Sequence, residues 1–110
     1  MNKNAAETAE LIGAISNGME DTSTKVMVAP PFVNLAAAAD SAKNSNIIVA
    51  SQNMHFAESG AFTGEVSASM LLHLGIDHVI LGHSERRALF GEGDELLAKK
   101  ADTALGQNMT

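Results

Sequence analysis

Several residue types are missing or scarce in this chain of 110 residues, and each absence excludes a class of protein. There is no cysteine, which excludes disulfide bonds and thiolate metal sites. Seven Lys and Arg against thirteen Asp and Glu give a formal net charge of −6, so no basic surface is available for nucleic acid or an anionic membrane. No apolar run approaches the roughly 18–20 residues of a membrane span, and the first residues lack the apolar core of a signal peptide. We therefore expect a cytoplasmic protein with no nucleic-acid or membrane partner.

The composition is otherwise that of a globular domain, with 45% hydrophobic and 18% charged residues. Three short apolar runs, at residues 25–29, 47–51 and 78–81, are predicted to be strands. Their starts are separated by 22 and 31 residues, which is the spacing of strand–helix units. Continuous apolar runs indicate strands that are buried on both faces of a parallel sheet. The intervening segments predict helices over residues 5–15, 32–42, 65–74, 84–90 and 94–105. The sequence therefore predicts an α/β fold with three parallel strands.

Helical periodicity also predicts which side chains face the core, and Asn4 is expected to cap the first helix. The residues predicted to face inward on the first three helices are Leu11, Ile12 and Ile15, then Phe32, Leu35 and Ala39, then Val66, Met70 and Leu74.

The most informative stretch runs from Val79 to Arg87 and reads Val-Ile-Leu-Gly-His-Ser-Glu-Arg-Arg. A buried strand is broken by Gly82, His83 follows, and Ser84 is expected to cap a short helix. The carboxyl end of a strand in an α/β protein is where ligands bind. Backbone N–H groups at a helix start disfavour an imidazolium, so His83 is expected to be neutral and able to donate a hydrogen bond to a substrate carbonyl.

Gly-His-Ser-Glu-Arg-Arg after an apolar strand resembles the signature that follows the fourth strand in the triosephosphate isomerase family. Further segments resemble the same family in register. They are Ala-Pro-Pro at 29–31, Ala-Ser-Gln-Asn at 50–53, Gly-Ala-Phe-Thr-Gly-Glu at 60–65 and Asp-Glu-Leu-Leu-Ala-Lys-Lys at 94–100. Residues 1–110 are accordingly identified as part of a (β/α)₈ barrel, from its first helix through its fourth main helix, with the second to fourth strands.

The resemblance implies an isomerase that interconverts dihydroxyacetone phosphate and D-glyceraldehyde 3-phosphate through an enediol, in glycolysis and gluconeogenesis. It implies that His83 is the neutral electrophile, which is the family's own established assignment, and that Glu85 supports the catalytic lysine. It implies no cofactor and no metal. The family's strand-one Asn and Lys would precede Met1, its glutamate base would follow Thr110, and Lys3 lies after the position of the catalytic lysine. The chain alone is therefore expected to be inactive.

The predicted loop at residues 52–64 is far longer than the roughly 2–6 residues usual between a strand and a helix. It carries Phe56 and Phe62, and two exposed aromatic side chains on such a loop indicate a protein interface. The resemblance implies a homodimer in which this loop enters the partner subunit, with Phe62, Thr63, Gly64 and Glu65 at the interface. Residues 53–59 depart from any strict family pattern, which leaves their packing undetermined.

The remaining charged and titratable residues favour structural roles. Arg86 and Arg87 suit phosphate, but ion pairs with Glu92 or Glu95, or with a partner subunit, are the preferred interpretation. The other histidines, His55, His73 and His78, have no carboxylate or histidine at ligand spacing, so they are expected to be non-catalytic and no metal site is predicted.

Three alternatives remain open at this stage. In the first, the chain is a complete three-stranded α/β sandwich, although nothing in the sequence protects the sheet edges. In the second, it is a non-catalytic fragment that acts only by association through those edges. In the third, it is a small flavodoxin-like binding domain, but no strand is followed by the Gly-rich phosphate loop that such a domain needs.

Overall fold

The computed structural model describes residues 1–19 and 23–110. Helices and strands alternate along the described chain. In order they are α1 (Ala5–Asn17), β1 (Val26–Val28), a 3₁₀ turn (Phe32–Asn34) that leads into α2 (Leu35–Ala42), β2 (Ile47–Ser51), α3 (Ala68–His73), β3 (His78–Val79), α4 (Ser84–Phe90) and α5 (Asp94–Gly106).

The three strands form one parallel sheet in the order β1-β2-β3, which confirms the predicted α/β fold. Val26 of β1 pairs with Ile47 of β2, and Ala50 of β2 pairs with His78 of β3. Beyond the end of β3, Ile80 still donates its N–H to the Ser51 carbonyl over 2.8 Å. Because all three strands run in one direction, the segments that follow them meet at a single edge of the sheet.

The hydrophobic core lies between the sheet and the helices, and it continues beneath the long loop after β2. Its most buried side chains belong to α1, α2, β2, the loop, α3, α5 and the segments before β3 and after α5. They are Ile12, Leu35, Ala38, Ile47, Met54, Ala68, Leu71, Ile76, Ala104 and Met109. Helices therefore cover the sheet and leave the carboxyl ends of the strands open.

The predicted start and buried face of α3 are wrong. The helix begins at Ala68 rather than at residue 65, and its buried side chains are Ala68 and Leu71, whereas Met70 is 57% exposed. The cause is the preceding backbone: the His55 N–H donates to the Val66 carbonyl over 2.8 Å and ties residue 66 to the loop.

The inward faces of α1 and α2 were also predicted only in part. Ile12 and Leu35 are buried as expected, but Leu11 is exposed, and Ala38 is more buried than its neighbour Ala39. The buried side of α1 is set by its packing on α2 and that of α2 also by its packing on β2, which helical periodicity alone does not report.

The start of α1 is capped as predicted. The Asn4 side chain accepts the Glu7 N–H, and the Glu7 carboxylate accepts the Asn4 N–H, at 3.0 and 2.8 Å. This reciprocal capping box satisfies two backbone N–H groups. The buried Asn34 amide then donates to the Lys3 carbonyl and to the Thr8 hydroxyl, which fixes the helix start against the segment after β1.

Candidate active site

A cavity of about 460 Å³ opens at the carboxyl end of the sheet, where the sequence placed the ligand site. Its walls come from the segments after all three strands. The lining includes Pro31 and Phe32 after β1, Gln52 and Asn53 after β2, and His83, Glu85, Arg86 and Phe90 from the β3–α4 segment. The fold therefore brings His83 and Glu85 together on one wall.

Gly82 makes the turn that places His83. Its φ of +68° lies in the left-handed region, which side chains with a Cβ rarely adopt. A Cβ at this position would lie 3.2 Å from Cδ1 of Leu97, which is closer than ordinary packing allows. The glycine thus suits both the left-handed turn and the close approach of α5.

The helix cap is His83 and not Ser84, which corrects the sequence prediction. The His83 Nδ1 accepts the backbone N–H of Glu85 over 3.2 Å, and the helix proper begins at Ser84. Serine was expected because its hydroxyl is a common cap. Here the imidazole extends back over the first turn and takes that role.

This hydrogen bond sets the protonation pattern of the imidazole. Because Nδ1 accepts an N–H, its lone pair is occupied and the ring proton is on Nε2, which is the pattern of a neutral histidine. The Glu85 carboxylate lies 3.8 Å from the same nitrogen, which is beyond hydrogen-bond distance. The geometry therefore presents Nε2–H as a donor on a side chain that is 51% exposed at the cavity.

The two arginines of α4 make ion pairs, as the sequence favoured. Arg86 Nε donates to Glu92 Oε1 over 2.7 Å, and its guanidinium lies 4.6 Å from the centre of the Phe90 ring. Arg87 pairs with Asp94 at 2.7 Å rather than with Glu95 or Glu92. Asp94 is the first residue of α5, where its carboxylate is also favoured by the helix dipole.

Lys100 is a buried charged residue that was not predicted from the sequence. It is only 2% exposed, and its Nζ donates to Glu92 Oε1 over 2.6 Å and to Asn53 Oδ1 over 2.8 Å. The signal was the helical spacing of 97, 100 and 104, because Leu97 and Ala104 are the buried apolar residues of α5 and Lys100 shares their face.

Glu92 is the centre of this buried group, at 5% exposed. Burial raises the pKa of its carboxyl, but hydrogen bonds and charges from Lys100 and Arg86 outweigh burial and hold the pKa below its ordinary value. Both cations bind Oε1, and Oε2 has no hydrogen-bond partner among the described residues. The carboxylate is therefore ionised and anchors two helices.

The base of the long loop packs against the rest of the chain, and its far end is exposed. Phe56 is half-buried, which corrects the expectation that it is exposed, because its carbonyl accepts the Thr103 hydroxyl and its ring packs on His55. The four residues expected at an interface, Phe62, Thr63, Gly64 and Glu65, are all exposed.

Two of the other histidines do have a carboxylate nearby, which the sequence spacing did not indicate. His55 Nδ1 lies 3.7 Å from Glu65, and His78 Nδ1 lies 2.7 Å from Asp77. Within residues 1–19 and 23–110, no three His, Asp or Glu side chains are grouped so that they could hold a metal ion. Over the same residues, no helix has the length and apolar character needed to cross a membrane.

Comparison with known proteins decides the family. The sequence profile described as triosephosphate isomerase matches residues 1–110. The chain belongs to the triosephosphate isomerase family. The triosephosphate isomerase of Flavobacterium johnsoniae is 57% identical over the whole chain, and that of Flavobacterium psychrophilum is 52% identical. The protein of the same name from Acetivibrio thermocellus is 53% identical over 94% of the chain. The chain spans 44%, 44% and 41% of these three relatives.

Family membership accounts for the parallel sheet as part of an α/β barrel. In such barrels the active site lies at the carboxyl ends of the strands, which is where the cavity beside His83 opens. Within the described residues, the cavity offers a neutral hydrogen-bond donor in His83 and a carboxylate in Glu85. This arrangement is able to polarise a carbonyl group, whereas proton abstraction from carbon requires a further base.

Proposed function

We propose that the full-length protein is a triosephosphate isomerase, to which residues 1–110 contribute the electrophilic side of the active site. The observation that carries the proposal is the hydrogen bond from the Glu85 N–H to His83 Nδ1. It leaves Nε2–H as a donor at the mouth of a cavity of suitable size for a small phosphorylated sugar.

The chemistry follows from that donor. When a proton leaves the carbon next to a carbonyl, negative charge develops on the carbonyl oxygen, and a fixed N–H donor stabilises it. A neutral imidazole can donate this hydrogen bond through Nε2–H while its Nδ1 accepts the Glu85 N–H at the helix start. Glu85, on the same wall, is proposed to orient the lysine that the family places near it. The base, that lysine and the phosphate-binding loops are proposed to come from the remainder of the barrel.

We further propose a cytoplasmic homodimer. The exposed segment Phe62, Thr63, Gly64 and Glu65 is its contact surface, and the loop base supports this role because Phe56 and His55 are already packed within the subunit. A loop that is rigid at its base and exposed at its tip loses little conformational entropy when a partner covers the tip.

The test is an isomerase assay of the full-length protein beside the isolated 110-residue chain. Full-length protein should convert dihydroxyacetone phosphate into glyceraldehyde 3-phosphate, and in heavy water the product should carry deuterium at the carbon that exchanges its proton. The isolated chain should show only the buffer rate, because groups that act as a unit do not retain activity separately. Absence of turnover by the full-length protein would refute the proposal.

One observation favours a second function for the isolated chain, namely association without catalysis. Strand β1 lies at the sheet edge and its Met27 side chain is 48% exposed, so another strand can pair beside it. Sedimentation distinguishes the two. A folded monomer of the isolated chain would exclude association, whereas large assemblies would support it.

A further inference from the structure

A buried chain of polar contacts connects the end of β2 with the helix that carries His83. Asn53, two residues past β2, accepts a hydrogen bond from Lys100 Nζ over 2.8 Å. Lys100 also donates to Glu92 over 2.6 Å, and Arg86 of α4 donates to the same Glu92 oxygen over 2.7 Å. The contacts thus cross from the loop to α5, to the turn before α5, and back to α4.

Both ends of this buried group reach the candidate active site. Asn53, from the segment after β2, and Arg86, from α4, both line the cavity, whereas Lys100 and Glu92 are not among its lining residues. Arg86 is also connected to His83 through the backbone, because its N–H donates to the His83 carbonyl over 2.9 Å. Lys100 and Glu92 therefore bridge the end of β2 and the start of α4.

A buried pair of opposite charges, Lys100 and Glu92, is unusual for a purely structural contact. An isolated buried ion pair contributes little net stability, because desolvation offsets the attraction, and apolar residues of similar volume often serve as well. Lys100 occupies a position on α5 between the buried apolar residues Leu97 and Ala104, where a methionine would fit the same face. Unlike an apolar side chain, the lysine makes directional hydrogen bonds, because its ammonium group binds an amide on one element and a carboxylate on another.

We propose that Lys100 and Glu92 are positioning residues for the reaction, which hold α4 and the start of the long loop at the separation that aims His83 Nε2 into the cavity. This inference rests on the proposed isomerase function. Neither residue contacts the cavity itself through its charged group, so both act through Arg86 and Asn53.

The test is Lys100→Met in the full-length protein, with kcat, KM, thermal stability and the ¹⁵N NMR signals of the His83 ring as readouts. Loss of the ammonium group leaves Asn53 Oδ1 without its donor and breaks the link from Asn53 to Glu92, so that α4, still paired with Glu92 through Arg86, can shift relative to the loop. A misplacement of about 1 Å lowers rates about 100-fold, and the partial release expected here should lower kcat about tenfold while KM changes less than about twofold. The His83 ring signals should move.

Two controls separate positioning from stability. Leu71→Ala, in the core and away from the cavity, should lower thermal stability without moving the His83 signals or kcat at a temperature where the protein is folded. Lys43→Met removes an exposed ion pair with Asp40 and should change none of the readouts. If Lys100→Met behaves like Leu71→Ala, with stability lost but kcat and His83 unchanged, the inference is overturned.

A second variant covers the case in which Lys100→Met alone does not fold. Combining Glu92→Gln with Lys100→Met removes both buried charges, and such paired replacements often retain stability. Positioning predicts that this variant is folded but still slow, with displaced His83 signals. Recovery of kcat together with stability would overturn the inference. A parent protein without turnover would refute the proposed function instead, and the His83 signals would still decide whether Lys100 positions the ring.

Discussion

Replacing His83 by glutamine in the full-length protein is the most informative perturbation of the site. His83 offers the cavity a single donor, Nε2–H, because Nδ1 is engaged by the Glu85 N–H at 3.2 Å. Removal of one donor that faces developing negative charge lowers kcat by about 10²–10³-fold, which corresponds to about 2.7–4 kcal/mol of transition-state stabilisation. Glutamine retains an N–H donor but lacks the imidazole geometry, so we expect the lower end, about 10²-fold.

The assay is steady-state conversion of dihydroxyacetone phosphate, with kcat and KM determined separately. KM should change much less than kcat if, as proposed, contacts to the phosphate from the remainder of the barrel dominate ground-state binding. His73→Gln, on the exposed C-terminal turn of α3, is the matched control and should leave both constants unchanged. A His83→Gln protein with near-full kcat would remove His83 from the mechanism.

Three further predictions concern stability and assembly. Because the pKa of Glu92 is lowered on folding, the stability that its ionised form contributes is present above the ordinary value of 4.5 and is lost as the pH falls through the lower folded value. The difference in unfolding free energy between the parent and Glu92→Gln should therefore shrink below pH 4.5 in denaturant titrations, and a constant difference would contradict this. Thr63→Arg should yield monomers in sedimentation, whereas Asn44→Arg, at an exposed position before β2, should remain dimeric; a dimeric Thr63→Arg protein would place the interface elsewhere. Gly82→Ala should lower the unfolding free energy by about 1–2 kcal/mol, since an alanine at φ +68° is strained, and unchanged stability would show that the turn relaxes.

Local sequence signals predicted the elements on either side of His83. The helix from Ser84 to Phe90 has the predicted bounds, because Gly91 follows it in the left-handed conformation that ends helices. The next helix begins at Asp94 as expected, with Asp94 and Glu95 in its first turn. The position of His83 at a strand end also followed from the sequence, because Gly82 interrupts an apolar run.

Contacts between distant residues account for what the sequence did not predict. Lys100 forms a hydrogen bond with Asn53, 47 positions earlier in the chain, and no local sequence pattern predicts a contact between residues so far apart. The buried face of α3 is set by the tie between His55 and Val66, which delays the helix start. The cap by His83 depends on an imidazole rotamer, which residue preferences for serine at caps do not include. In each case tertiary packing decided between locally acceptable alternatives.

The protonation state of His83 in the full-length protein tests the central claim most directly. That claim is that residues 1–110 supply an isomerase with a neutral imidazole whose Nε2–H points into the cavity. In ¹⁵N NMR spectra near neutral pH, Nδ1 should give the signal of an unprotonated nitrogen that accepts a hydrogen bond, and Nε2 that of a protonated one. An imidazolium, or the opposite tautomer with the proton on Nδ1, would contradict the hydrogen bond from the Glu85 N–H and with it the role assigned to His83.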